Sequence, residues 1–240
     1  MSEDVSDGWS NSASAWIVEQ GEDGDYGRRF VLDAPMRGRI EGRGFRRALD
    51  VGCGEGRFCR IMQRGGIRTT GIDPTAALFA RAKAMDPDGD YRLGRAETME
   101  FDADFDLVVS YLSLIDMPEL GAAIAKMVAA LQPGGTLLIA NLTSFNTAGQ
   151  PDGWTRDGEG VSRFSIDHYM DERPIWVSWR GIRIQNWHRP LSTYMTLLLD
   201  HGLQLRLFVE PEPKGGDPAK IAHHRRVPYF HIMEWRKPGG

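Results

Sequence analysis

Cysteine is scarce in this 240-residue chain, which has only Cys53 and Cys59. Two cysteines make no disulfide framework, and six positions along a helix amount to roughly 9 Å, past the reach of a bridge. Neither has a second Cys or a His at zinc-ligand spacing, so no metal site is expected and a reduced, cytoplasmic chain is. Lys and Arg are missing from the first 25 residues, which hold Glu3, Asp4, Asp7, Glu19, Glu22, Asp23 and Asp25. Such a start lacks the basic and then apolar layout of a secretion signal. The longest apolar run, near Leu107 to Ile115, is about half of the roughly 20 residues that cross a bilayer. Lys and Arg total 29 against 33 Asp and Glu, a net charge of −4. No global positive field is therefore available to recruit nucleic acid or anionic lipid. Internal repeats and low-complexity tracts are also absent.

With 41% hydrophobic and 26% charged residues, the chain has material for one large domain with an insertion. Residues 1–45 read as an acidic, partly helical cap, in which Trp16-Ile17-Val18 docks while the tip stays loose. From residue 46 the pattern becomes regular. Arg47 to Val51 is a short apolar strand, followed by clustered glycines and a helix reaching Gly65-Gly66. Ile67 to Ile72 is a second strand and Thr75 to Met85 a helix, with Thr75 placed as its N-cap. Tyr91 and Leu93 mark a third strand, and Phe105 to Tyr111 has the apolar run of a strand buried on both faces. Leu120, Ile124, Met127 and Leu131 recur at helical spacing, opened by Pro118 and stopped by Pro133-Gly134-Gly135. Thr136 to Leu142 is a fifth strand. This alternation predicts a doubly wound, mostly parallel Rossmann-like sheet of seven strands, with an antiparallel C-terminal strand and a β-rich insertion. The divisions are residues 46–144 for the core, 145–188 for an insertion on the substrate side, and 189–240 for the C-terminal part of the sheet. The insertion carries Trp154, Trp176, Trp179 and Trp187, and its alternation predicts a hairpin turning at Arg180-Gly181.

The chemistry is concentrated in Leu49-Asp50-Val51-Gly52-Cys53-Gly54-Glu55-Gly56 and in Gly71-Ile72-Asp73-Pro74. Glycines after a first strand let the backbone turn sharply and approach a ligand. Asp73 follows Asp50 by 23 residues and ends the second strand, where a carboxylate accepts hydrogen bonds from both hydroxyls of a ribose. A dinucleotide fingerprint needs a third glycine at the sixth position, and counting from Gly52 that position is Arg57.

Glycines at first, third and fifth positions, with an acid two residues before, resemble motif one of the class I S-adenosylmethionine-dependent methyltransferases. Leu131-Gln132-Pro133-Gly134-Gly135 is similar to the turn that enters their fifth strand, and Phe105 to Ser110 to their fourth. The likeness is specific over residues 15–142 and extends to the small-molecule group that includes quinone-precursor methylases. It implies S-adenosylmethionine as cofactor. Asp50, Gly52, Cys53 and Gly54 would then lie near its amino-acid end, and Asp73 and Pro74 near the ribose. Ala96 and Glu97 would touch adenine, Ser110 and Tyr111 would line the methionine half, and Arg28 would pair with the carboxylate. Arg95 departs from the pattern, since many relatives carry Asp there.

Methyl transfer from a sulfonium asks for alignment, and for a base only where the acceptor must lose a proton. His188, ending the insertion, is one candidate base. Asp116, where many relatives carry His, is the other, unless it caps the helix after Pro118. Ser110-Tyr111-Leu112-Ser113 replaces the Asn/Asp-Pro-Pro-Tyr of nucleic-acid amino-methylases. The expected activity is methylation of O or N on a small molecule, with no nucleic-acid or membrane partner. A non-catalytic protein that binds the cofactor, as a sensor or partner subunit, is the alternative. Oligomeric state is open.

Overall fold

The computed structural model describes residues 7–239. The expected loose tip, residues 1–6, lies outside them. The chain opens with α1 (Trp9–Gln20), a single π-helical turn at Arg28–Leu32 and α2 (Asp33–Gly38). Strands and helices then alternate: β1 (Arg47–Val51), α3 (Arg57–Arg64), β2 (Arg68–Asp73), α4 (Ala76–Met85), β3 (Asp90–Leu93), β4 (Phe105–Tyr111), α5 (Leu120–Ala130) and β5 (Leu131–Leu142). A short α6 (Ser144–Ala148) leads into two hairpins, β6 (Trp154–Arg156) with β7 (Ser162–Phe164) and β8 (Arg173–Trp179) with β9 (Ile182–His188). The chain closes with α7 (Leu191–Asp200), β10 (Gln204–Val209), α8 (Pro218–His224) and β11 (Phe230–Arg236).

Seven strands form one sheet in the order β10-β11-β5-β4-β1-β2-β3. β1, β2, β3, β4 and β5 pair in parallel, whereas β11 runs antiparallel to both β5 and β10. The central strands read as continuous apolar runs because side chains alternate between two covered faces. Leu49, Val51 and Val108 point into a core shared with α5 and α7, while Ala48, Leu107 and Val109 point into one shared with α2 and α3.

β5 starts five residues earlier than the expected Thr136. Leu131 already pairs with Phe105, and the register then slips so that Thr136 pairs with Leu107, leaving Pro133-Gly134-Gly135 as an irregularity inside the strand. The β8–β9 hairpin does turn at Arg180-Gly181. Both residues have positive φ, 45° and 82°, the backbone twist that a two-residue turn needs between right-twisted strands. Among the described residues, no helix is long and apolar enough to cross a membrane.

The parallel order reverses direction between β1 and β4, the switch point where doubly wound sheets leave a crevice beyond the carboxyl ends of their strands. The sequence elements with the densest chemistry, after β1, β2 and β4, end at this edge.

Candidate active site

A cavity with about 960 Å³ of free space, including its mouth, lies at that edge. Its floor is the loop after β1. Gly52 holds φ at +74°, and a Cβ there would sit 2.4 Å from Cβ of Ser113, so only glycine lets this loop close on the segment after β4. The loop spends its amides inward. Gly52 and Cys53 both donate to the Ile72 carbonyl, at 2.8 and 3.0 Å, and Gly54 donates to Oδ2 of Asp73 at 2.9 Å. Three consecutive amides are thus tied to β2, and they do not make the nest of free donors that cradles a pyrophosphate.

Acceptors face the cavity instead. Asp50 is 1% exposed, and one of its oxygens takes the Cys59 thiol at 3.4 Å while Oδ1 has no partner. Burial, with Asp73 nearby, pushes its pKa up to about 7 against the pull of that thiol. A buried carboxylate oxygen without a donor is costly in isolation and fits a cationic group. Asp73 is raised too, first by burial, although its Oδ1 also accepts from the Thr75 amide at 2.8 Å. The Thr75 side chain bonds this carboxylate as well, and the acceptor capacity that remains is what a further donor would meet. Ala96 and Glu97 occupy a 3-10 turn after β3 and line the far wall with Gly94 and Arg95.

Residues 49–139 match the model of a methyltransferase domain. Over 119 residues the chain is 34% identical to the ubiquinone biosynthesis O-methyltransferase of Bradyrhizobium sp. (strain ORS 278), a match covering 48% of this chain and 46% of that one. Over 142 residues it is 30% identical to the malonyl-[acyl-carrier protein] O-methyltransferase of Serratia marcescens, covering 57% and 56%. The chain thus spans about half the length of the curated relatives it matches. Its fold superposes on the crystal structure of an S-adenosylmethionine-dependent methyltransferase from Mesorhizobium loti with a TM-score of 0.76 and 26% identity, over 90% of this chain and all of that one. Residues 49–139 thus form a methyltransferase domain, on the fold of S-adenosylmethionine-dependent methyltransferases. The family's cofactor, a nucleoside with a cationic amino-acid arm and no phosphate, suits a floor of acceptors and inward-turned amides.

The methyltransferase cavity brings together Arg28, Asp50, Gly52, Cys53, Gly54, Asp73, Pro74, Ala96, Glu97, Tyr111 and Asp116. Arg28 is paired with Asp25 at 2.7 Å and lies against the rings of Trp16 and Tyr111. Tyr111 donates its hydroxyl to Asp33 at 2.8 Å, and the same carboxylate takes the guanidinium of Arg57. Burial and Asp33 together hold the phenol well above its usual pKa, so it stays protonated. Asp116 ends a 3-10 turn and caps nothing, since α5 begins after Glu119 without a side-chain cap. Its Oδ1 is buried without a partner, and its pKa stands well above the ordinary range because of burial and then of Asp7 and Asp73.

Three expectations are corrected. Ser110 does not line the cavity: it is fully buried and hydrogen-bonds Ser113 Oγ at 2.7 Å, which in turn donates to the Val51 carbonyl, so Ser113 takes the place at the wall. His188 does not line it either. Its Nε2 donates to the Tyr169 carbonyl at 2.9 Å and its Nδ1 accepts from Thr147 at 2.8 Å, a saturated neutral ring whose pKa burial lowers. Finally, the two cysteines are neighbours. The helix starts only at Arg57, so Cys53 sits in the loop, and both thiols converge on Gly71, where a Cβ would lie 2.8 and 3.0 Å from them. Both remain free.

No residue of 145–188 lines this cavity. The aromatic wall comes from α1, whose Trp9 and Trp16 pack edge to face at 5.9 Å, with Trp16 against Gly54. Their seven-residue spacing, which puts both rings on one helix face, was the available signal. α1 is pinned by Ser12 Oγ, which bonds both the carbonyl and the amide of Arg183 on β9 at 2.9 Å. Trp154 packs elsewhere, on Phe164 and His223. His223 and His224 are half-buried on α8, tilted against the rings of Trp154 and Tyr229.

Proposed function

We propose that the chain transfers a methyl group from S-adenosylmethionine to an oxygen or nitrogen of a small molecule. The observation that carries this reading is the cavity floor: three loop amides turned inward and one buried carboxylate oxygen, on Asp50, left without a donor. When bound, the cofactor supplies a methyl group on a positively charged sulfur that is already a good leaving group. Asp50 and the loop from Gly52 to Gly54 would hold its amino-acid end, Arg28 its carboxylate, Asp73 the ribose, and Ala96 with Glu97 the base. Trp9 and Trp16 exclude water from the mouth, which strengthens each of these contacts. Both relatives named above are O-methyltransferases, which favours oxygen, and the first favours a quinone precursor as acceptor. The free thiols of Cys53 and Cys59 fit a reducing, cytoplasmic setting.

Asp116, which lines the cavity, would take a proton from the acceptor. Burial, then Asp7 and Asp73, raise the pKa of Asp116 and with it the proton affinity of the ionised form, while Trp9 bonds the side chain and Oδ1 stays without a partner. Asp116→Asn keeps the shape, and turnover is expected to fall by about a hundredfold or more while S-adenosylhomocysteine affinity stays level. A variant as fast as the wild type would remove Asp116 from the chemistry.

The reading itself is tested by calorimetry with S-adenosylhomocysteine and by incubating the purified chain and S-adenosylmethionine with metabolite extracts. Heat on binding and extract-dependent formation of S-adenosylhomocysteine are the expected results. Binding without product across broad extracts would favour the non-catalytic sensor or partner-subunit role. No heat with either form of the cofactor would end both.

A further inference from the structure

Arg189 follows β9 directly and crosses the carboxyl edge of the sheet, where its Nη2 donates to the carbonyls of Met117 and Pro118 at 2.8 and 2.9 Å. Met117 is part of the cavity wall, so this arginine is anchored to the back of the methyltransferase site. It is 2% exposed. Its Nε faces Glu172 at 3.6 Å, and its Nη1, on the remaining arm of the fork, has no partner. Beside it, at the carboxyl end of β5, Asn141 is fully buried with neither its amide nitrogen nor its amide oxygen bonded. Burial raises the pKa of the Tyr194 phenol, on α7, and Arg189 and Asn141 lower it from within hydrogen-bonding reach, so the three polar groups meet at one point.

Buried donors without acceptors are expensive, and a guanidinium is the most expensive of them. Replacing this cluster with apolar side chains would remove the cost, so unspent donors gathered in one place mark a missing partner. Two of the three unpartnered atoms, Arg189 Nη1 and Asn141 Nδ2, are donors and one, Asn141 Oδ1, is an acceptor, so the partner is chiefly an acceptor. Once Glu172 moves away with its segment, the single positive charge of Arg189 balances a monoanion and would leave a dianion uncompensated. A planar carboxylate meets a guanidinium arm and an amide in one plane better than a spherical anion does.

We propose that Arg189, Asn141 and Tyr194 form the anion subsite of the methyl acceptor, and that this acceptor carries a carboxylate. The inference rests on the domain being a methyltransferase for a small molecule, and it narrows that reading to acidic acceptors. The subsite lies under a strap of residues 169–172. Tyr169 accepts from the Leu191 amide at 3.2 Å through its hydroxyl and from His188 through its carbonyl, while Glu172 takes the Thr193 hydroxyl at 2.6 Å. Entry of an acceptor requires this strap to lift, exchanging those few polar contacts for the acceptor's own.

The test is calorimetry on the full chain saturated with S-adenosylhomocysteine, titrated with benzoate and then with benzamide, its neutral isostere. Benzoate is expected to bind about tenfold more tightly or better, the scale of a hydrogen bond to a charged group. Arg189→Gln is expected to erase that preference and leave S-adenosylhomocysteine affinity unchanged. Because Arg189 also tethers Met117 and Pro118, Arg189→Lys is the companion variant. It keeps the charge and one donor and should retain only part of the preference. Equal binding of acid and amide to the wild type, or an undiminished preference in Arg189→Gln, would overturn the proposal and leave water as the partner of these atoms. The benzoate titration is repeated without S-adenosylhomocysteine, so that a failure of the cofactor reading is not mistaken for a failure of the subsite.

Discussion

Alanine in place of Asp73 is expected to weaken S-adenosylhomocysteine binding by about 1.5–3 kcal/mol, roughly ten- to hundredfold, as measured by calorimetry. The carboxylate does two things. It ties the glycine loop to β2 through the Gly54 amide and fixes the start of α4 through the Thr75 amide. It also keeps lone pairs for the ribose hydroxyls that the cofactor would bring. Asp73→Asn retains the volume and one acceptor oxygen, so a smaller loss is expected there. If the loss came only from a loosened loop, alanine and asparagine variants would both show reduced thermal stability in proportion to their reduced affinity. If it comes from the sugar contact, asparagine loses affinity while keeping its melting temperature. Unchanged affinity in a folded Asp73→Ala protein would mean that the ribose is held elsewhere.

The parts of this site that depend on one short stretch of backbone were legible in the sequence. Gly52, Gly54 and Asp73 follow from strand, turn and spacing, because a tight bend leaves few residue types able to occupy it. The alternation of strands and helices followed from apolar periodicity, down to the Arg180-Gly181 turn. What was not legible depends on contacts between segments far apart in the chain. Ser110 and Ser113 are three residues apart on the same strand exit, and only the closeness of the Gly52 bend decides which of them reaches the cavity. Arg57 was visible as the residue that breaks the dinucleotide pattern, but not as the partner of Asp33, 24 positions earlier. The tryptophan-rich insertion does not supply the aromatic cover of the cavity. That cover comes from α1, because Ser12 finds the edge of β9 and carries Trp9 and Trp16 with it. His188 misled for a related reason: a lone histidine at a strand end reads as a base until both ring nitrogens are seen to be occupied.

His231 gives a large expected response to pH. It lies on β11 opposite Asn141, stacked on Phe208 with ring centroids 5.6 Å apart, and is 1% exposed with Nε2 unpartnered. Burial lowers its pKa from 6.5 to about 4. The unfolded chain therefore takes up its proton first as the pH falls. The contribution of this ring to stability is complete above pH 6.5 and is lost between there and about pH 4, at about 1.4 kcal/mol per unit. By pH 5 the loss is on the order of 2 kcal/mol. Asp50 runs the other way. Its folded pKa of about 7 lies above the unfolded 3.8, so the folded protein takes the proton first and gains stability over much of the same range. A wild-type stability curve alone would show the two effects partly cancelled. The informative quantity is the difference between wild type and His231→Phe in urea unfolding, since Asp50 and every other titrating group are common to both. Phenylalanine keeps the stack on Phe208 and cannot be protonated. Whatever constant offset the substitution introduces, the wild type should lose about 2 kcal/mol against it on going from pH 7 to pH 5. A difference that stays flat across that interval would mean that His231 takes up its proton inside the folded protein without cost, and that β11 opens there more readily than its burial implies.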